Sequence, residues 1–414
     1  MWSAPAKRRA AATPPDLSHA TVIADVTVVD VETGTLDPHR NVYIQGEKIV
    51  SVAPASKPHP GAHTVPGAGK FLIPGLWDMH VHLWDPDPQF RAYLAHGVTG
   101  VRDMGSNFTQ MRAWRNQIEH GSIAGPRIFT SGPPLDGPGE TSDPRLSARV
   151  IHNAEEARRA FDELDDMHVD FIEVLPGLHA EAFFALTEFT RHWGHRIAGN
   201  LPDSVTAKQA VDARQGSIED LEGILLSCSS DERDLRSQWR DAKRANDIPA
   251  LEKVAQVMVD TYSKRKAALL FSDMRIYEVL ATPLLTARKR TAMIQIEYDR
   301  LAPLIKDMAD GGVGFLSGTD TGLADTKPGA ELHDELELMA QAGLTPVQVL
   351  RAATLHPARA LRHQADLGTI HAGKYADLVL LDENPLIDIA NTRKIAGVFA
   401  NGRYLAKHQL AKTP

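Results

Sequence analysis

Short strand-like runs alternate with longer amphipathic segments from residue 73 to about residue 365, and this alternation leaves few folds open. In the segment 155–167, for example, Ala157, Phe161 and Leu164 recur on one face, as expected of a helix that covers a sheet. Repeated strand and helix are typical of a parallel barrel whose site lies at the carboxyl ends of its strands. The first predicted strand ends at residue 82. The other seven span residues 98–103, 127–131, 171–175, 196–200, 217–220, 268–272 and 313–320.

Strand-like patterns also occur at both ends of the chain, outside the alternating region. Val22, Val26 and Val28 belong to a β-branched run with a period of two, and Gly46 lies where a hairpin is expected to turn. Strands need partners, so we predict that the two termini build one small β-sandwich beside the barrel. The runs concerned are residues 21–30, 41–52, 376–382 and 395–404.

The predicted fold class is therefore α/β, a (β/α)8 TIM-like barrel with a small β-sandwich domain formed from both termini. Residues 19–72 and 366–410 are assigned to the sandwich, and residues 73–365 to the barrel. The charged helical segment 229–265 is longer than an ordinary connection and is interpreted as a lid over the barrel mouth. Residues 1–18 lack the apolar core of an intact signal peptide and are interpreted as a disordered leader.

Charge, cysteine content and hydropathy argue against several classes of function. The formal net charge of −8 over 414 residues, without a basic stripe, argues against nucleic acid as a partner. The single cysteine, Cys228, excludes an intrachain disulfide and a thiolate metal cluster. No apolar run reaches the roughly 18 residues of a membrane span. We predict a cytoplasmic homo-oligomer that acts on a small molecule, while export with a trimmed leader stays open.

His80 and His82 are the first residues that point to a chemical function. Residues two apart on a β-strand project from the same face, so both imidazoles point in one direction. Paired imidazoles on one rigid strand are a natural beginning of a transition-metal site. Two core histidines can also simply satisfy backbone groups, and the pair by itself leaves both interpretations open.

The pair follows Pro-Gly-Leu-Trp-Asp-Met at residues 74–79, and this frame resembles the opening of the amidohydrolase superfamily. The resemblance is greatest to its imidazolonepropionase and prolidase-like branch, and it extends over nearly the whole chain. It implies a metal-dependent hydrolase built on a (β/α)8 barrel with a small β-sandwich. Further matching motifs lie at residues 97–105, 125–132, 318–321, 352–358 and 373–378.

The resemblance implies a set of metal ligands at the strand ends, and part of that set is present. His80 and His82 match the histidine pair of strand 1, and Asp320 matches the aspartate of strand 8. On strand 4, Glu173 replaces the usual lysine and is either a ligand or an ordinary polar barrel residue. The cost of burying a lone glutamate favours the ligand.

Two further positions depart from the family pattern. Asn200 and Asp220 stand where strands 5 and 6 usually supply histidines. Asparagine offers a neutral carbonyl oxygen, a poor zinc ligand, whereas aspartate remains a competent oxygen ligand or acid–base group. The sequence therefore favours one divalent metal ion, with zinc first and manganese, iron or cobalt as alternatives. A weakly held second ion at Asn200 and Asp220 and a metal-free pocket both stay open.

Catalytic and substrate-binding roles are assigned to the same region. Asp320 is predicted to take a proton from water and pass it to the leaving nitrogen, with Asp220 assisting or orienting the substrate. Arg102 and Arg127 lie near strand ends and are candidates for binding a substrate carboxylate. Each is equally a candidate for a scaffold salt bridge, in the case of Arg102 with Asp103.

The predicted function is hydrolysis of an amide or related C–N bond in a small molecule. Two rival hypotheses stay open, because two of the family's histidines are replaced. One is a lyase, dehydratase or isomerase reaction on the same fold. The other is a metal-free pseudoenzyme that only binds, although retention of His80, His82 and Asp320 speaks against it.

Overall fold

The computed structural model shows an α/β protein with two groups of strands. It describes residues 16–139, 144–219, 221–227, 229, 231–245, 247–265, 268–276, 278–283, 285, 295–322 and 326–410. Most of the predicted leader lies outside this set, as do Asp220 and Cys228.

Strands dominate both ends of the chain and alternate with helices between them. The strands are β1 (Thr21–Asp30), β2 (Thr35–Gln45), β3 (Lys48–Pro54), β4 (His63–Pro66), β5 (Phe71–Pro74), β6 (Leu76–Val81), β7 (Val98–Asp103), β8 (Arg127–Thr130), β9 (Leu135–Asp136), β10 (Arg149–Val150), β11 (Ile172–Val174), β12 (Ile197–Gly199), β13 (Ser217–Glu219), β14 (Leu280–Thr282), β15 (Leu378–Leu381), β16 (Ile395–Ala400) and β17 (Arg403–Ala406).

The helices lie almost entirely between β6 and β15. They are α1 (Pro86–Ala95), α2 (Phe108–Glu119), α3 (Ala154–Asp166), α4 (Ala180–Trp193), α5 (Ala207–Asp212), α6 (Glu222–Leu226), α7 (Glu232–Ala245), α8 (Ile248–Arg265), α9 (Ala268–Ile276), α10 (Gln295–Asp310), α11 (Ala330–Gln341), α12 (Pro346–Ala352), α13 (Leu355–Ala360) and α14 (Lys407–Leu410), with 3-10 turns at Pro144–Leu146 and Ile389–Arg393. Within the described ranges, none combines the length and the apolar run that a membrane span requires.

Strands from both ends of the chain form one eight-stranded mixed sheet. Its order is β17-β16-β15-β5-β1-β2-β3, and β4 pairs with β1. The strand β5 joins the two termini, because it pairs in parallel with β1 and antiparallel with β15. Side chains from both termini, among them Ile23, Leu72, Leu380 and Phe399, share one apolar core. Where the sequence predicts a β-sandwich, hydrogen bonds thus connect all these strands in a single sheet.

The strands between the termini pair in parallel, in the ladders β6-β7-β8, β10-β9-β11-β12 and β13-β14. Backbone hydrogen bonds connect one ladder to the next, as from Gly216 N to Ile197 O at 2.7 Å. Another runs from Met79 N to Ser317 O at 2.8 Å. The chain therefore has a TIM-barrel-like α/β fold, in which the described residues form separate ladders and not one closed sheet.

The helix α3 shows how the alternating pattern folds. It begins after Asn153, whose side chain accepts a hydrogen bond from Glu156 N and so caps the first turn. Its buried face consists of Ala157, Ala160, Phe161 and Leu164, as the 3.6-residue periodicity predicts. The prediction of a helix at 155–167 is confirmed to within one residue at each end.

The prediction of a seventh strand at 268–272 is wrong, because these residues belong to the helix α9. The strand that pairs with β13 is β14, which follows the helix. A short apolar run does not distinguish a strand from a buried helix. The decisive spacing comes from Phe271 and Met274, which lie three residues apart and are both buried.

The eighth predicted strand, residues 313–320, makes isolated bridges and no continuous ladder. Phe315 bridges Ala281 of β14, and Thr321 bridges Val81 of β6, both in parallel. Two glycines and a left-handed residue, Asp320 at φ 57°, interrupt the extended backbone in this segment. The segment nevertheless occupies the position between the last strand of the barrel and the first.

His333, on α11, is a buried histidine that links this helix to the residues before β7 and β16. Its Nδ1 lies 2.9 Å from Thr392 Oγ1, and its Nε2 lies 3.0 Å from the carbonyl oxygen of His96. Burial, reinforced by the charge of Arg393, lowers the pKa of His333 to about 3. The unfolded chain therefore takes up a proton at this residue below about pH 6.5, well before the folded chain does.

Because of His333, we expect the free energy of unfolding to decrease as the pH is lowered. The substitution His333→Gln should weaken this dependence. As the pH is lowered from about 6 to about 4, the free energy of unfolding of the wild type should decrease more steeply than that of the variant, by on the order of 1 kcal/mol per pH unit. Urea unfolding at a series of pH values measures this difference. The exposed His192→Gln is the control and should leave the slope unchanged, whereas equal slopes for wild type and His333→Gln would contradict the expectation.

Candidate functional site

The end of β6 meets the segment that precedes α11, and the backbone fixes their register. His82 N donates to Thr321 O at 2.7 Å, and Asp320 N donates to His80 O at 2.8 Å. Asp320 has a left-handed backbone, which is uncommon for residues other than glycine and recurs at functional sites. These bonds place residues that are 240 positions apart in the sequence side by side.

His80, His82 and Asp320 form one compact group, hereafter the His–Asp group. One donor atom from each residue lies within 4.8 Å of the others. His82 Nε2 is 3.2 Å from Asp320 Oδ1, and His80 Nε2 is 3.7 Å from the same oxygen. Both histidines are buried and Asp320 is partly exposed. Three of the four residues predicted as ligands of one ion therefore lie together.

Glu173, the fourth predicted ligand, ends up buried at the same end of the barrel but outside the His–Asp group. Its Oε2 accepts a hydrogen bond from Ser131 Oγ at 3.0 Å. Burial raises the pKa of Glu173 to about 7, although the nearby imidazoles of His80 and His82 partly oppose this rise. Glu173 is thus close enough to both imidazoles to interact with them electrostatically.

Glu219, at the end of β13, is a buried carboxylate that the sequence did not identify as functional. Its Oε2 lies 3.2 Å from His80 Nδ1, and its Oε1 accepts a hydrogen bond from Arg102 Nη2 at 2.7 Å. Ser217 Oγ donates to the same Oε1 at 2.5 Å. Burial alone would raise the pKa of Glu219, but Arg102, His80 and Ser217 together lower it to about 2. Glu219 is therefore ionised and touches a predicted ligand from behind.

Asp78 and Asp103 are two further buried carboxylates that hold the strand ends in place. Asp78 Oδ2 accepts a hydrogen bond from Thr319 Oγ1 at 2.6 Å, which ties β6 to the segment that carries Asp320. Asp103 Oδ1 accepts from Leu83 N at 3.2 Å and so fixes the backbone just after His82. Burial raises the pKa of both, that of Asp78 to about 7.

The residues present fit a divalent transition metal. Two imidazoles and one carboxylate that converge on a point form a donor set that suits zinc, manganese, iron or cobalt. His82 Nδ1 is buried and has no hydrogen-bond partner among the described residues. Since Arg102 is already paired with Glu219, it does not neutralise the other carboxylates. An excess of buried acidic groups beside two histidines is an environment that favours a bound cation.

Trp84 forms part of the wall beside the His–Asp group. Its ring stacks on that of His82, with centroids 6.1 Å apart and planes inclined by 13°. The indole nitrogen donates to Gly322 O at 2.6 Å, which fixes the ring. The guanidinium of Arg145 lies 5.7 Å from the Trp84 ring centroid. Trp84 thus limits the movement of the His82 ring.

The remaining predicted site residues are placed differently. Asn200 directly follows β12, where its backbone nitrogen donates to Val174 O at 3.1 Å, and Asp220 lies outside the described residues. Arg102 pairs with Glu219 and not with Asp103. Arg127 is the first residue of β8 and pairs with Asp377 at 2.5 Å. The structure therefore engages both guanidinium groups with buried carboxylates and does not bring Arg127 to the His–Asp group.

Comparisons with known proteins agree with this architecture. The amidohydrolase family model matches residues 251–405. Ochratoxinase of Aspergillus niger is 23% identical over 377 residues, which cover 79% of this chain and 72% of that protein. Adenine deaminase of Klebsiella pneumoniae is 28% identical over 390 residues, covering 87% of this chain and 53% of that protein.

A solved structure of similar fold is that of a Xaa-Pro dipeptidase with methionine bound in its active site. It superimposes with a TM-score of 0.72 at 18% identity and covers 94% of this chain and 100% of that one. These likenesses agree with the amidohydrolase resemblance that the motifs indicated. Together they indicate an enzyme of the amidohydrolase type.

Gly318 is a residue of the predicted motif at 318–321 whose role becomes clear from packing. A Cβ added there would lie 2.9 Å from His80 Cβ and 2.8 Å from Thr282 Cγ2. Atoms at such distances overlap, so even a methyl group must displace one of these neighbours. Gly318 therefore allows the last segment of the barrel to approach β6 closely enough to complete the His–Asp group.

We expect Gly318→Ala to destabilise the fold by about 1–3 kcal/mol, as overpacking does in a dense core, and to displace His80. Thermal unfolding measures the first effect, and the metal content after dialysis against zinc measures the second. Gly311→Ala is the control, because an added Cβ there keeps 3.2 Å from its nearest neighbour, Asp307 O. A Gly318→Ala protein with wild-type stability and metal content would contradict this interpretation.

Proposed function

We propose that this protein is a metal-dependent hydrolase that cleaves an amide or related C–N bond of a small molecule with one divalent ion. The observation that carries the proposal is the His–Asp group, whose donor atoms lie within 4.8 Å of one another. Ochratoxinase, adenine deaminase and Xaa-Pro dipeptidase, to which the chain is similar, support an amide or a related C–N bond in the substrate.

The residues of the proposed site bind the ion, and one of them also transfers a proton. His80, His82 and Asp320 would hold the ion, with Glu173 as the neighbouring fourth ligand. A bound ion would lower the pKa of a water molecule and polarise the substrate carbonyl. Asp320 is partly exposed, and its carboxylate takes a proton from the attacking water and delivers it to the leaving nitrogen.

A single ion, zinc first, is proposed because the outer ligand positions are poor. Asn200 follows β12 and Asp220 follows Glu219, at the two positions where the amidohydrolase resemblance implies histidines. A neutral amide oxygen binds zinc weakly, and the remaining carboxylates favour harder ions. Asp220 is proposed to assist proton transfer or to orient the substrate instead of binding a second ion tightly.

The helices α7 and α8 are proposed to border the mouth as a lid. Arg240, on α7, donates to Asp203 at 3.1 Å, and Asp203 lies in the loop after β12. Arg236 donates to Gly223 O at 3.2 Å, and Gly223 follows β13. Both contacts attach α7 to connections at the carboxyl ends of barrel strands, where the substrate would enter.

The division of the chain into domains is likewise a proposal. The mixed sheet of residues 19–72 and 366–410 has an apolar core of its own, which supports treating it as a unit beside the barrel of residues 73–365. Homo-oligomerisation and a cytoplasmic location stay predictions.

We expect the wild type, purified without added ions, to contain about one metal ion per chain, as a site with three or four protein ligands would hold. His82→Ala should lose the ion and the activity together, because it removes a donor from the His–Asp group. Mass spectrometry of metals measures the content. Turnover is tested on dipeptides that end in proline, on N-acylated amino acids and on adenine.

His192→Ala, an exposed histidine on the outer helix α4, is the matched control and should keep both properties. A wild type that turns over one of these substrates and stays free of metal after dialysis against zinc or manganese would refute the proposal.

We expect the double substitution Asn200→His with Asp220→His to raise the metal content from about one ion to about two per chain, because it restores two imidazoles. Native turnover should fall at the same time, since the proposed reaction uses Asp220. Metal content and turnover are measured on the same preparation. Two tightly bound ions already present in the wild type would show instead that Asn200 and Asp220 are adequate ligands.

A further inference from the structure

We propose that Arg102 and Glu219 position His80, so that the affinity for the metal depends on an ion pair behind the ligand. This inference rests on the proposed metal site and adds two positioning residues to it. Glu219 holds the imidazole of His80 from its Nδ1 side, and Arg102 holds Glu219. The pair thereby fixes both the orientation of the ring and the nitrogen that faces the ion.

The first step of the argument is the contact between Glu219 and His80. An ionised carboxylate only accepts hydrogen bonds, so His80 Nδ1, at 3.2 Å from Glu219 Oε2, must carry the proton. The Nε2 atom of a neutral His80 then carries the lone pair. That atom lies 3.7 Å from Asp320 Oδ1, too far for a direct hydrogen bond. The nitrogen that faces the His–Asp group is thus the one able to bind a metal.

The second step is the rigidity of Glu219 itself. Arg102, on β7, uses three nitrogens, which donate to Met79 O at 2.5 Å, Ser217 Oγ at 2.9 Å and Glu219 Oε1 at 2.7 Å. These partners belong to β6 and β13, so the guanidinium links three barrel strands across the interior. Arg102 and Glu219 are both almost completely buried, which protects their interaction from screening by solvent.

The third step is the contrast with His82. The Nδ1 atom of His82 has no hydrogen-bond partner among the described residues, and its ring is restrained by stacking on Trp84. His80 therefore has, on its Nδ1 side, the carboxylate partner that raises the basicity of a metal-binding imidazole and fixes its tautomer, whereas no described residue offers such a partner to His82 Nδ1. The two histidines of the pair are unequal, and His80 is the preorganised ligand.

The consequence for a cation is both geometric and electrostatic. Loss of the charge on Glu219 would release the ring of His80 and leave the buried guanidinium of Arg102 without its counter-charge. An uncompensated positive charge behind the site repels a divalent ion. Removal of a carboxylate behind a metal-binding histidine typically weakens metal binding by about 10–100-fold.

The test is Glu219→Gln, which keeps the shape and an acceptor oxygen but removes the charge. We expect its dissociation constant for zinc, measured by competition with a chromogenic chelator, to rise about 10–100-fold. Asp377→Asn is the matched control, since it breaks a second buried carboxylate pair, with Arg127 at the start of β8. The control should lose stability in thermal unfolding but keep the zinc affinity of the wild type.

A second measurement decides the matter if Glu219→Gln does not fold. Long-range 15N–1H NMR of histidine-labelled, metal-free wild type should show His80 with a proton on Nδ1 and a bare Nε2, with its signals assigned by their loss in His80→Asn. A proton on Nε2, or a folded Glu219→Gln that binds zinc as tightly as the wild type, would overturn this inference and leave the proposed function intact. A wild type that binds neither zinc nor manganese would refute the proposed function itself.

Discussion

The structure depends on the backbone contact between β6 and residues 315–321. Hydrogen bonds from Met79, His82 and Asp320 join the first strand of the barrel to its last segment. This contact brings the histidine pair and the aspartate of the His–Asp group together, although they lie far apart in the sequence. Asp78 reinforces the contact through Thr319, and the absence of a side chain at Gly318 permits it. The contact that closes the first strand onto the last therefore also builds the site.

Buried charge is the second feature that organises the barrel interior. Glu173, Asp78 and Asp103 lie in a region where burial raises the pKa of each carboxyl group. Glu219 behaves in the opposite way, since Arg102 holds the pKa of its carboxyl at about 2. Arg102 thus neutralises Glu219, whereas Asp78 interacts with His80, Asp103 with His82, and Glu173 with both imidazoles. The interior combines a fixed ion pair with an acidic pocket that suits a cation.

The sequence predicted the class of fold and the core of the site because both rest on local patterns. Alternation within a strand indicated that His80 and His82 share a face, and the motif around Asp320 placed it at a strand end. Partners of buried residues were not predictable in the same way. Ser217 and Glu219 alternate like an inward-facing pair, which was the available signal, but the choice of Arg102 as their partner depends on packing across the barrel. The error at residues 268–272 has a similar cause, since the burial of Phe271 and Met274 decides for a helix.

The pairing of β5 has a consequence for the order in which the protein can fold during synthesis. It runs through Gly75 into β6, and its lateral partner on one side is β15, about 300 residues further along the chain. A ribosome must therefore complete residues 378–381 before the strand that carries His80 gains this support. Nascent chains that stop between residues 320 and 378 contain every residue of the His–Asp group but lack the strand that pairs with β5. In a growing polypeptide, this lateral support for the site is thus deferred until residues 378–381 have been synthesised.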